Sequence, residues 1–105
     1  MVVMVLQKVS KSTHGELSRW LVEVKTGVYI GHVSAMVRDL LWEKCVKIKR
    51  NGSIFQAWTT NNEQHFNMRL SGDRLHEIVD WEGLLLVRQT GNDLSEVERR
   101  RILAG

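Results

Sequence analysis

Five consecutive apolar residues, Val2 to Leu6 (VVMVL), constrain the fold more than any other stretch of the chain. The run is too short to form the core of a helix and reads as a strand buried on both faces. A strand of that kind has to sit inside a layered structure. At 105 residues the chain has room for one such domain, a single core between two layers. No apolar run approaches the ~20 residues that span a bilayer, so no membrane segment is expected. The start lacks a basic n-region and a small-residue cleavage site, so it reads as structure rather than a signal peptide.

The pattern after the first strand predicts alternating helices and strands. Thr13 and Glu16 have capping-box spacing, and Leu17, Trp20, Leu21 and Val24 follow at i, i+3, i+4, i+7, the stripe of a helix lying on a sheet. Gly27 is expected to end that helix. Val28 to Ile30 reads as a short extended piece. Gly31 then releases the chain into a second helix capped by Ser34, with Val37, Leu41, Cys45 and Ile48 on one face and Asn51-Gly52 as its stop. The piece from Gly27 to Gly31 is thus expected to be an abrupt helix-to-helix joint, a determinant of fold rather than a site. Ile54 to Thr59 and Phe66 to Leu70 read as strands around an Asn61-Asn62 turn, and Leu84 to Val87 as another buried strand entered through an Asp80–Gly83 turn. The order strand, helix, short strand, helix, then three strands predicts an α+β fold. It points to a ferredoxin-like two-layer plait, with two helices on one face of a mainly antiparallel sheet. Residues 1–90 are expected to form this domain. Residues 91–105 read as a short appended helix or a mobile tail.

Net charge is only +3, but the cations are clustered. Lys8, Lys11 and His14 have no acid among the first 15 residues, Lys44, Lys47, Lys49 and Arg50 follow one another, and Arg99 to Arg101 form a run. Clustering of this kind suggests a polyanionic partner, although each cation reads equally as solvated surface charge. The single cysteine, Cys45, excludes an internal disulfide and fits a reducing cytoplasm; on a buried helical stripe it reads as core. The four histidines (14, 32, 65, 76) have no metal-ligand spacing, and no glycine-rich phosphate loop is present. Trp20 and Trp42 fall at helical spacing and read as core or dimer contacts; Trp58 lies in a strand, and Trp81 is placed to pack a turn.

Three segments, WLVEVKTGVYIGHVSAMVRDLLWEK (Trp20 to Lys44), AWTTNNE (Ala57 to Glu63) and DWEGLLLV (Asp80 to Val87), closely resemble CRISPR-associated protein 2 of subtype I-E. The likeness is collinear from Val2 to about Val87. It implies a homodimer of ferredoxin-like subunits at the centre of the spacer-acquisition complex, bridging dimers of the larger adaptation subunit, the integrase. Double-stranded prespacer DNA lies across that assembly, and the chemistry at its ends belongs to the integrase. On this reading the chain is a non-catalytic DNA-binding scaffold that needs no cofactor. Lys8, Lys11, His14 and Arg19 are the expected DNA contacts near the first helix, with Ser12 and His14 standing where relatives carry clamping arginines. Arg38 matches a basic residue of the family's second helix, and Arg74 and His76 fall in the loop where relatives have paired arginines. Family precedent also makes the last strand a site of pairing with integrase backbone, here Leu84, Leu85, Leu86, Val87, Arg88, Gln89 and Thr90.

The alternative is a metal-dependent endonuclease acting on RNA or DNA, as many relatives are described. Their proposed Mg2+ ligand is a carboxylate at the end of the first strand. Here that position is Gln7, followed by Lys8. A neutral carboxamide is a poor ligand for a hard divalent cation and the ammonium repels it, so no metal site and no catalytic residue are expected. The tail could extend the partner contact, hold DNA through its arginines, or be the stump of a fusion.

Overall fold

The computed structural model describes residues 1–48, 51–73 and 75–89. In chain order its elements are β1 (Val2–Leu6), α1 (Lys11–Ser18), β2 (Val22–Lys25), β3 (Val28–Gly31), α2 (Ala35–Lys47), β4 (Ile54–Thr59), β5 (Phe66–Ser71), β6 (His76–Trp81) and β7 (Leu84–Gln89). They fall into two compact units, Met1–Gly72 and the segment from Asp73 onward. The expected tail, with Arg99 to Arg101, lies outside the described residues, as do Lys49, Arg50, Arg74 and Thr90.

In the first unit β1 is central. It pairs antiparallel with β3 on one side and β4 on the other, giving a five-stranded sheet in the order β2-β3-β1-β4-β5 in which every neighbouring pair is antiparallel. Side chains alternate across a sheet, so the register decides which residues share a face. Met4 stands opposite Tyr29 and Gln56, and Leu6 opposite Ile54. Met4, Leu6, Tyr29 and Ile54 join Val2, Leu17, Leu21, Leu41 and Cys45 in one buried cluster, with Gln56 buried on the same side, so both helices close over the same face. Removing a Leu side chain of this kind from water contributes about 1.5–3 kcal/mol. The opposite face carries Val3, Val5, Val28, Ile30, Phe55, Ala57, Met68 and Leu70, and Val5 on it is 38% exposed. The reading of β1 as buried on both faces therefore holds for one face only within a single chain.

The first helix is shorter than the pattern predicted. Ser10, not Thr13, caps it, its hydroxyl accepting from the Thr13 amide at 3.2 Å, and Glu16 turns away to bind Lys44. Leu17 and Leu21 are buried as expected, but Val22–Lys25 (VEVK) is the edge strand β2, and Trp20 and Val24 are exposed. Two β-branched residues alternating with charged ones satisfy the two-residue period of a strand as well as they fit a helical stripe. The expected helix-to-helix joint is consequently a β-hairpin. Gly27 lies in its turn at φ +79°, and its carbonyl accepts from the Leu6 amide at 2.8 Å. A Cβ at that position would sit 2.4 Å from the Leu6 carbonyl oxygen, so only glycine lets the hairpin come this close to β1.

The second helix follows the expectation. Ser34 caps it through the Val37 amide at 3.2 Å, and Leu41 and Cys45 are buried. Strand β4 has the expected bounds, and β5 runs one residue further than expected, to Ser71.

The second unit contains an antiparallel hairpin of β6 and β7. Strand β6 was not expected, and Trp81 is its last residue rather than part of the turn. Glu82 (φ 51°) and Gly83 (φ 87°) make the two-residue turn, and the Asp80 carboxylate accepts from the Gly83 amide at 2.8 Å. Strand β7 extends the expected Leu84 to Val87 and is not buried: Leu84, Leu86 and Val87 are all about half exposed. No described helix is long and apolar enough to cross a membrane.

Candidate functional site

Past Leu6 the chain leaves the sheet and turns into α1, and this bend gathers the cations foreseen near the N-terminus. Lys8, Lys11 and His14 line one open cleft of about 590 Å3, whose walls also include Leu6, Gln7, Val9, Glu23, Thr26 and Gly27. A second groove, of about 460 Å3, runs along Lys8 to Ser12. Lys8 and Lys11 are exposed, and neither ammonium is engaged in an ion pair among the described residues. No acid stands in the first turn of α1, where the aligned backbone dipoles already favour negative charge.

Among the described residues Glu23 is the one acidic side chain lining the cleft, and it is occupied. Its Oε2 accepts from the Gly27 amide at 3.2 Å, and its Oε1 lies 3.3 Å from His14 Nε2. The Gly27 amide first, then the charge of His14, hold its carboxyl below the ordinary value. Tyr29 packs edge-on against the His14 ring and is fully buried, and its hydroxyl makes no hydrogen bond among the described residues. Burial first, then the Glu23 carboxylate, pushes the phenol up to about 12.

Gln7 is committed elsewhere. Its Oε1 accepts from the Ser53 amide at 3.3 Å, while its own amide donates to the Ser53 carbonyl at 3.0 Å. The carboxamide thus fastens the loop entering β4, and the adjacent Lys8 adds positive charge. This donor set does not suit a divalent cation. Among the described residues no group of three or more His, Cys, Asp and Glu side chains converges as metal ligands would.

Of the other expected contacts, Arg19 and Arg38 do not line the cleft. Arg19, just past α1, is exposed and 3.8 Å from Glu16. His76 belongs to the second unit, where both its amide and its ring contact Asp73. Arg38 is mostly covered: its Nε donates to Asp39 at 3.0 Å and its guanidinium lies 4.3 Å from the centre of the Trp58 ring. Sequence reasoning missed its companion, Arg69, which stands on the helix-covered side of β5 opposite Gln56. Arg69 donates to the buried Gln56 Oε1 at 2.8 Å and to Asp39 at 2.9 Å, and contacts the rings of Trp42 and Trp58. This network staples α2 to β4 and β5. Arg69 lies in a cleanly alternating strand, but alternation alone does not tell which face meets a helix.

Also missed was Asn51, read from sequence only as a helix stop. It is fully buried and hydrogen-bonded to three separate parts of the fold.

A family model described as CRISPR-associated protein (Cas_Cas2CT1978) matches residues 1–86. The chain belongs to that family. It is thus a Cas2-type protein with a role in CRISPR systems, and the match takes in the whole five-stranded unit together with β6 and the start of β7.

Proposed function

We propose that this chain is the non-catalytic DNA-binding scaffold of spacer acquisition, of the subtype I-E kind. In this reading it is a central homodimer of ferredoxin-like subunits that bridges integrase dimers and holds prespacer duplex. The observation that carries the reading is the cleft at the end of β1. There Lys8 and Lys11, unpaired among the described residues, stand with His14, and the lining Glu23 carboxylate is already engaged. Cations displayed without a counter-charge attract phosphate regardless of base sequence, which suits an apparatus that accepts any invader DNA.

Three further features support it. The strand order β2-β3-β1-β4 with both helices over one face supports the ferredoxin-like reading, with β5 added at one edge. The apolar far face, from Val3 to Leu70, has the chemistry expected of a surface that a second copy covers. Strand β7 pairs with β6 inside the second unit, and its Leu84–Gln89 stretch is the segment that family precedent gives to the integrase for strand pairing. The Gln7 carboxamide, tied to Ser53, weighs against the endonuclease alternative.

The test is duplex capture by the protein assembled with its integrase. Affinity should fall steeply with salt, each engaged phosphate adding about −0.9 to the log–log slope. Reversing Lys8 and Lys11 to Glu should weaken capture and flatten that slope while leaving the sedimentation of the dimer unchanged. Capture that survives the double reversal unaltered would put the DNA on another face. Cleavage that depends on added Mg2+ or Mn2+ would restore the nuclease alternative.

A further inference from the structure

We infer that Asn51 is the positioning residue of the basic loop: it sets the geometry in which Lys8, Lys11 and His14 are displayed. The inference rests on the polyanion reading of the cleft, because it says how the loop is held ready for such a ligand.

Asn51 is 0% exposed, although it lies in the loop between α2 and β4. Its side chain and backbone reach three places at once. Nδ2 donates to Thr13 Oγ1 at 3.2 Å, inside the first turn of α1, and to the Cys45 carbonyl at 3.1 Å, in the last turn of α2, which also accepts from the Ile48 amide at 3.2 Å. Oδ1 accepts from the Ser10 amide at 3.5 Å, at the residue that caps α1. The Asn51 carbonyl accepts from the Lys8 amide at 3.0 Å, and its own amide donates to the Ile48 carbonyl at 3.0 Å. One residue therefore links the exit of β1, the cap of α1 and the end of α2.

The segment from Lys8 to Ser10 has no sheet ladder of its own, so these bonds and the cap are what fix it. Beside it, Gln7 and Ser53 exchange two hydrogen bonds, which makes the join double: carboxamides at 7 and 51 fasten opposite ends of the same stretch. No carboxylate is used anywhere in this join. A side chain of Asp or Glu at either place would add negative charge beside Lys8 and Lys11, whereas a carboxamide supplies the hydrogen bonds and leaves the local field positive.

The chemistry asks specifically for an asparagine. Only a carboxamide carries two N–H donors and a separate acceptor oxygen on one short stem, and Ala would remove one bond each from the Thr13 hydroxyl, the Cys45 carbonyl and the Ser10 amide.

The experiment compares the wild-type chain, Asn51→Ala and the milder Thr13→Val by amide hydrogen exchange and by binding of a random-sequence DNA duplex across a salt series, at a temperature where each variant is folded. The expected result is selective. Exchange at Lys8 to Thr13 should quicken on the order of tenfold or more in Asn51→Ala, while the amides of Val3 to Val5 in β1 stay near wild-type protection. Duplex affinity should fall, and the salt slope should flatten by about 0.9 for each phosphate that the loosened loop no longer engages. Thr13→Val should move both in the same direction by less. If exchange rises equally in the loop and in β1, Asn51 is a core residue like any other and the inference is overturned. If the loop loosens but duplex binding and its salt slope do not change, Asn51 still positions the loop and the polyanion reading of the cleft fails instead. A wild-type chain that binds no duplex in the assembled complex also overturns that reading, and the exchange data then judge Asn51 alone.

Discussion

Gly27 shows at the residue scale how much a sequence can say and where it stops. A glycine between two apolar pieces signals a backbone that needs φ > 0, and that much was legible. What it serves was not, because the sequence does not show that the Leu6 carbonyl passes 2.4 Å from the place of a Cβ. Gly27→Ala should therefore destabilise the chain through both the positive φ and the clash with backbone that cannot swing away, by at least about 2 kcal/mol in urea unfolding. Asn51 was misjudged for a similar reason: Asn-Gly after a helix signals a stop, and whether the Asn is then buried depends on what the fold brings against it. Gln7 was legible as a missing carboxylate. Its engagement with Ser53 became visible only in three dimensions.

At the scale of elements, success followed the length of the periodic signal. Helix α2 offered 13 residues of stripe with a Ser cap, and strands β4 and β5 had clear boundaries. The VEVK strand offered four residues, and over so short a window the helical and extended periods cannot be separated. Strand β6 went unseen because His76 and Asp80 interrupt its apolar pattern and its partner's position could not be known. The Arg69 network was equally hidden, since it exists only once α2 lies on β4 and β5. Arg69→Ala would strand the buried Gln56 Oε1 and remove the contacts to Trp42 and Trp58. The expected loss is about 1–3 kcal/mol in equilibrium unfolding, accompanied by a change in tryptophan fluorescence of the folded state. A loss confined to a few tenths would mean that apolar packing alone holds α2 in place.

Over the whole molecule, the α+β class and the two-layer core were readable, whereas the partial exposure of the sheet's far face was not, since an apolar run looks the same whether its own chain or another covers it. Global stability should also carry a signature at alkaline pH. Burial, then the Glu16 carboxylate, raise the Cys45 thiol from its ordinary 9.0 to about 11, and Tyr29 rises from 10.0 to about 12. Both groups ionise more readily in the unfolded chain. Their contribution is complete below pH 9.0 and is lost progressively as the pH climbs through about 11 and then about 12. The urea midpoint should hold steady across neutral pH and decline above that first threshold, and Cys45→Ala should remove the earlier part of the decline. The same burial gives the thiol a second use. With only 2% of Cys45 accessible, an alkylating reagent has to wait until α2 lifts away, so the pace of labelling makes this lone sulfur a clock that counts how often the protein breathes.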